Sequence, residues 1–274
     1  PYSGYESEDL VALALGGLLS LGGYADTPPM RAHGNQAWLC AGMYGAVAAL
    51  MAVLEAEASG CGQHVDVSMQ ECVTLALENA VQYYELEGIV RKRHAGRQRF
   101  AGTGVFRCQD GFIYLMAGGV GANKFWPRSV EWLCDEGAPG AEALRDEKWS
   151  SVEFLRTEEA KNAFATIVSP YFVTRPKAYL YHEGQRRRIP IAPVSSPQDL
   201  VENRQLAHRR HFVEGTNPVP GGPMLMPGAP YRLSLSPWRM RGPAPALGQH
   251  NEEVYGRYGL RGGEIEELRM AEVL

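Results

Sequence analysis

Cysteine is scarce in this chain. The five present (Cys40, Cys61, Cys72, Cys108, Cys134) are odd in number and form no CxxC pair. They imply neither a disulfide framework nor a zinc site, and read as reduced thiols. Cationic charge is not in excess either: the net charge of -4 and pI near 6.0 argue against a general nucleic-acid binder, which needs a concentrated basic face. Long apolar runs are missing too. The longest, Cys40 to Leu54, falls short of the roughly 20 residues that cross a bilayer, and its many Gly and Ala suggest a buried helix. The opening residues, 1–9, are acidic and polar rather than basic then apolar, unlike a secretory signal. No phosphate loop, Ser-His-Asp order or metal-ligand spacing stands out. The expectation is a cytoplasmic protein, with no metal, nucleic acid or membrane partner. With 45% apolar and 21% charged residues, the chain can bury one sizeable core or two modest ones.

Leu10, Leu13, Ala14, Gly17, Leu18 and Leu21 recur at spacings of three and four, predicting a helix from Glu8 to Leu21 with Ser7 as its N-cap. Residues 22–36, with Pro28-Pro29, read as a loop. A second helix is expected over about 39–58. Its Gly42, Gly45, Ala46 and Ala49 leave one face almost bare, so another backbone can approach and offset the cost of about 1 kcal/mol per helical glycine. His64 to Val67 alternates as a short strand does. Ser68-Met69-Gln70-Glu71 has the form of a capping box, opening a third helix to about Leu86.

A basic stretch, Arg91-Lys92-Arg93-His94-Ala95-Gly96-Arg97-Gln98-Arg99, marks a boundary. Beyond it, residues 104–116 read as two strands joined at Asp110-Gly111, a type I′ turn signal. Helical patterns return at 124–136 and 157–171. Ile189 to Val194 is extended, its prolines excluding a central strand position. The Pro- and Gly-dense segment 218–245 holds one alternating run, Tyr231 to Leu235, and cannot build its own core. Residues 259–274 suggest a charged helical tail.

Four blocks in order resemble the family III CoA-transferases, the CaiB/BaiF group: Gly60 to Ser68, Phe106-Arg107-Cys108-Gln109-Asp110-Gly111, Ile189 to Val194, and Ala244 to Val254. The resemblance implies an α/β fold, with a Rossmann-like large domain, a smaller inserted α+β domain and two subunits interlocked as rings. On that plan residues 1–90 belong to the large domain. Residues 91–202 are the linker and small α+β domain, and 203–274 return to the large domain. Family members usually begin with a βαβ region that contacts the CoA nucleotide; this sequence starts after it, so the expectation is that either the chain is a fragment or a homologous subunit or chain, as partner, supplies that part.

In the family an Asp lies four residues before the first helix glycine, and counting back from Gly42 gives Trp38. That Asp attacks an acyl-CoA thioester, holds the acyl group as a mixed anhydride, and then carries CoA as a thioester. An indole can do neither, having one non-titrating N–H donor. Trp38 therefore reads as an aromatic plug or a platform for a partner's ligand. Glu8 and Asp9 match a pair near the family's active site, although acids in a first helical turn are also common for dipole reasons. Gly102 and Gly104, with Gly96, fall where some members carry a mobile glycine loop, and are equally plain turn residues. Arg97 and Arg99, with Arg91, Lys92 and Arg93, could meet the phosphates of CoA or simply be a solvated linker. Cys40 reads as packing rather than a substitute nucleophile. The resemblance implies movement of CoA between an acyl-CoA and a carboxylic acid, with CoA as substrate and no permanently bound cofactor. Two alternatives are an acyl-CoA racemase, isomerase or hydratase, and a non-catalytic acyl-CoA-binding subunit.

Overall fold

The computed structural model describes residues 4–216, 223–240, 242 and 245–274, and the chain divides into two compact units, Pro1–Val194 and Ser195–Leu274.

The first unit opens with a layer of helices. α1 spans Asp9–Leu15, with Glu8 rather than Ser7 at the N-cap position, and a 3-10 turn over Leu18–Leu21 follows, so the expected single helix breaks at Gly16 and Gly17. Gly16 has a packing reason: a Cβ there would lie 2.4 Å from Val73 Cγ1. α2 runs Gln36–Ser59, ended by Gly60 in the left-handed conformation that glycine adopts freely. Ser68 then caps α3 (Met69–Leu75), accepting from the Glu71 amide at 3.3 Å. The third helix does not continue to Leu86: Glu78 has φ 58, and α4 restarts at Ala80–Glu87. The expected strand at His64 to Val67 is irregular, because no described strand lies beside it to accept its hydrogen bonds. Ala12, Leu13, Ala37 and Val73 form the small core of this layer.

α2 corrects the expectation of a buried helix. At 24 residues and mean hydropathy 1.9 it is long and apolar enough to cross a membrane, yet Ala37 is its one buried residue. Its half-buried stripe is Ala41, Gly45, Ala48, Ala52 and Ala56, turned toward α3 and Val67, which sits 4.0 Å from a Cβ built on Gly45. Gly42, Ala46 and Ala49 are exposed instead. Small residues face inward, while Met43, Val47, Leu50, Met51 and Leu54 project outward, each more than half exposed. Helices apolar on all sides normally have neighbours on all sides.

The second layer is an α+β lobe. β1 (Thr103–Cys108) and β2 (Gly111–Met116) form the expected hairpin, registered from Thr103↔Met116 to Cys108↔Gly111. The turn is not type I′, which needs positive φ at both central residues, since Gln109 and Asp110 both lack it. α5 (Trp126–Asp135), α6 (Val152–Arg156), α7 (Glu158–Phe172) and α8 (Lys177–Arg186) follow. β3 (Ile191–Pro193) then joins β2 antiparallel at the sheet edge, where its proline is tolerated. The core is aromatic. Phe106 meets Phe164 and Phe172 edge-on at 5.8 and 5.7 Å, and Trp126 stacks on Trp149 at 5.2 Å. Both indole N–H groups are satisfied, donating to Leu144 and Ala143 carbonyls at 3.1 and 3.0 Å. At the rim, Arg186 and Arg187 hold the Glu183 carboxyl down to about 2, and Arg187 also reaches Asp135 at 2.6 Å, tying α8 to α5.

The second unit contains α9 (Pro197–Val201), α10 (Arg204–His208), an antiparallel pair β4 (Phe212–Thr216) and β5 (Pro223–Pro227), α11 (Asn251–Arg257) and α12 (Gly262–Met270). α12 is the expected tail helix. Tyr231 to Leu235 is irregular, not a strand; of segment 218–245, residues 218–222, 241 and 243–244 lie outside the described residues. Among the described residues every strand pair is antiparallel.

Candidate active site

The sequence-marked residues fall into two places within the first unit. One is the head of α2. Asn35 occupies the N-cap but its side chain caps nothing. The free amides go instead to Asp9, whose Oδ1 accepts from Ala37 N at 2.8 Å and Trp38 N at 3.4 Å. Asp9 is only 5% exposed, and the Arg31 guanidinium stands 3.8 Å from Oδ2, which has no hydrogen-bond partner among the described residues. The α2 terminus and the Arg31 guanidinium both direct positive potential at this side chain. Asp9 sits in the first turn of α1, but the dipole it serves belongs to α2. Nothing in its sequence position shows that, since the partner amides lie 28 and 29 residues away.

Glu8 is exposed and makes no cap hydrogen bond. Trp38, one residue beyond the buried Ala37, is 56% exposed, its indole outside the small core. The Cys40 thiol donates to the Cys72 carbonyl at 3.4 Å, and burial pushes the Cys72 thiol up, keeping it protonated. Both cysteines act here as packing between α2 and α3.

The other place is a cleft of about 590 Å³ lined by α4, the basic linker, the hairpin base and Arg156. The linker arginines divide into two sets. Arg93 is consumed by main-chain carbonyls of the loop after α1, donating to Tyr24 at 2.9 Å and Thr27 at 3.0 Å. Arg97 pairs with Asp26 at 3.5 Å and lies over the Tyr24 ring. These two fasten the linker to the helical layer. Arg91 and Arg99 line the cleft with His94 and Arg156. Arg91 is aimed by Asn79 Oδ1 at 3.2 Å and the Tyr83 ring at 3.8 Å, and Arg156 lies over Phe100. Burial, and then Arg99, Lys161 and Arg91, push the His94 pKa down, so its imidazole is neutral near pH 7 and can accept a hydrogen bond. Arg91, His94, Arg99 and Arg156 converge on one opening, with Glu78 and Glu87 at its α4 side.

Gly102 and Gly104 stand behind this cleft. Gly102, at φ +78, lets the chain pass Trp126 and Ala117, which a Cβ would meet at 3.0 and 3.2 Å; a Cβ on Gly104 would meet the Gln98 backbone at 2.8 Å. The Gly102 amide donates to Gln98 Oε1 at 2.8 Å. Sequence reasoning missed His94, Arg156, Tyr83 and Asn79; only the basic run hinted at His94. Among the described residues no group of three His, Cys, Asp or Glu side chains is placed to hold a metal ion.

A half-exposed tryptophan at a carboxylate-capped helix head and a cationic cleft at the base of a hairpin now have a context. The model of CoA-transferase family III matches residues 1–251, and the chain belongs to that family. Over 270 residues it is 38% identical to the succinyl-CoA:(R)-benzylsuccinate CoA-transferase subunit BbsE of Thauera aromatica, covering 98% of this chain and 65% of that protein. The formyl-CoA:oxalate CoA-transferase of Streptomyces coelicolor is 26% identical, over 100% of this chain and 68% of its own length. A crystal structure of a CaiB/BaiF family protein from Brucella suis superposes with TM-score 0.75 at 20% identity, over 94% of this chain and 64% of that one. The mixed α/β fold is that of the CaiB/BaiF proteins. The chain spans about two thirds of the length of these relatives.

Proposed function

We propose that this chain is a subunit of a cytoplasmic CoA-transferase that moves CoA between an acyl-CoA and a carboxylic acid, and that the carboxylate nucleophile comes from elsewhere in the assembly. The observation that carries this reading is the 38% identity to a named CoA-transferase subunit along nearly the whole chain. Succinyl-CoA is the first donor to test, because BbsE and a 26%-identical β subunit from Chloroflexus aurantiacus are both named for it. Trp38 supports the second half of the proposal. It occupies the position at which the family resemblance puts Asp, and an indole cannot form the anhydride.

In this reading the cleft beside Arg91, Arg99 and Arg156 receives the anionic groups of acyl-CoA or of the acid, as guanidinium forks pair with carboxylate and phosphate. Neutral His94 accepts a hydrogen bond there without adding a fourth positive charge. Asp9 is a positioning residue that fixes the head of α2 through the Ala37 and Trp38 amides. A Rossmann-like part, from a homologous subunit or a longer polypeptide, covers the outward face of α2. Protein rather than lipid is the proposed cover, because the family match runs through this helix. An interlocked dimer is the arrangement the resemblance suggests. CoA is substrate here, not a resident cofactor.

Incubating the purified assembly with succinyl-CoA and hydroxylamine tests this. Hydroxylamine should convert one carboxylate to a hydroxamate in the partner and none in this chain. Modification of an Asp or Glu of this chain would place the nucleophile here and refute the division of labour.

A further inference from the structure

The second unit contains a groove that the transferase reading does not use. Between Asn203 and Asn251 the sequence has six arginines and a single acid, Glu214. Four of these arginines, Arg209, Arg210, Arg232 and Arg239, line one cavity of about 750 Å³ together with Tyr231 and Trp238. Among the described residues no carboxylate lines it. Among the described residues, none of the four guanidinium groups has a side-chain hydrogen bond or an ion pair, although arginines elsewhere in the chain are paired. Like charges gathered without counter-ions repel one another, and the repulsion is relieved when an anion binds among them.

The backbone is shaped around this cluster. Loop 228–240 folds back on the β4–β5 pair: the Gly228 amide donates to the His211 carbonyl at 2.7 Å. A Cβ on Gly228 would meet the His211 carbonyl oxygen at 2.9 Å, so glycine lets the loop approach the β4 strand's lead-in this closely. The Trp238 ring beside it stays 42% exposed and lines the groove. Arg239 follows directly. On the opposite side Arg210 closes α10 at φ 50, with its amide donating to Ala207 at 2.9 Å and the His211 amide to Leu206 at 3.0 Å. Glycine is the usual residue at such a helix end because it takes positive φ without steric cost. An arginine held there puts a charged fork where the backbone would prefer no side chain.

We propose that this groove is a nucleotide site, taking a ligand with a planar base and two or more phosphates. Guanidinium forks bind phosphate oxygens bidentately, and Trp238 and Tyr231 offer faces for the base. The volume suits a ligand of this size. The same chemistry could come from the nucleotide end of CoA or from a free nucleotide, and the inference stands independently of the transferase reading.

Calorimetric titration of the purified full-length protein, with any co-purifying subunit, tests it with ADP, adenosine and inorganic tripolyphosphate as probes. ADP should saturate a single site, with adenosine and tripolyphosphate each at least about tenfold weaker, a separation calorimetry resolves. Arg239→Ala should weaken ADP about tenfold, consistent with loss of a charged contact. Arg210→Gly should weaken ADP while raising the melting temperature, a combination that general destabilisation cannot produce. CoA affinity falling in Arg239→Ala would assign the site to the CoA nucleotide; unchanged CoA affinity with lost ADP binding would assign it to a free nucleotide. Tripolyphosphate binding as tightly as ADP would overturn the proposal in favour of an unspecific polyanion patch. Affinity that grows with the length of a single-stranded oligonucleotide would overturn it in favour of a nucleic-acid track. ADP binding that is absent, or indifferent to both substitutions, would also overturn it.

Discussion

Trp126 and Trp38 are the same side chain in opposite settings. Trp126 lies in the α+β lobe, stacked on Trp149, pressed against Phe164, with its N–H satisfied. Trp38 stands at the head of α2 with more than half its surface exposed. The two regions around them differ likewise. The α+β lobe assembles Phe106, Trp126, Trp132, Trp149, Phe164 and Phe172 into a closed core. The helical layer buries little beyond Ala12, Leu13, Ala37 and Val73, and turns the large side chains of α2 outward. One region closes over its own core, and the other leaves an apolar face open.

The largest effects should separate the two cores. Phe164→Ala should cost about 3–5 kcal/mol, since the cavity is walled by rigid aromatic rings and cannot collapse. Leu13→Ala should cost nearer 2 kcal/mol, the low end for such truncations, because its thin layer can relax toward solvent. Urea denaturation of both variants checks this, and equal losses would erase the contrast. Next comes the junction at α2. Asp9→Ala removes a helix cap and strands the buried Ala37 amide, a loss of about 1–2 kcal/mol by urea denaturation. Asp9→Asn should recover part of it, because an amide oxygen can still accept.

A smaller effect is confined to acid. Glu183 has its folded pKa depressed to about 2 from 4.5 by Arg186 and Arg187. Its contribution is present above the unfolded value and is lost as pH falls from 4.5 toward 2. Glu183→Gln should therefore flatten the stability profile of the α+β lobe in that window. Circular dichroism melts across the acid range read this directly. The smallest effect on the chain's own stability should come from Leu50→Glu on the outward face of α2, within about 0.5 kcal/mol as for most surface changes. The same substitution should abolish co-purification of the proposed partner. Retention of the partner would show that this face is not the contact surface.

Much of the α+β lobe could be read in the sequence because its signals are local. Thr157 before an amphipathic run, Asp110-Gly111 between alternating strands, and prolines in 189–194 each act over a few residues. The helical layer was legible as helices and not as packing. Its small-residue stripe proved to run through Ala41, Gly45, Ala48 and Ala52, not through Gly42, Ala46 and Ala49, because helical periodicity fixes which residues share a face and not which face has a neighbour. The candidate site was hidden for the same reason. The basic linker was visible as five cations in nine residues, but only Arg91 and Arg99 among them reach the cleft, whereas Arg93 and Arg97 are spent on the loop at Ser20 to Thr27.

By itself the sequence determined the family, the hairpin, two of the four α-helices and the edge strand of the α+β lobe, and the absence of a carboxylate at position 38. These follow from residue identity and spacing, which need no third dimension. Only the tertiary structure decided that Asp9 serves α2 and not its own helix, that His94 and Arg156 join two linker arginines at one opening, and that four arginines of the second unit share a groove. Each of these depends on groups far apart in the chain meeting in space, and the energy of such meetings is set by packing and local dielectric rather than by any one residue's neighbours in sequence.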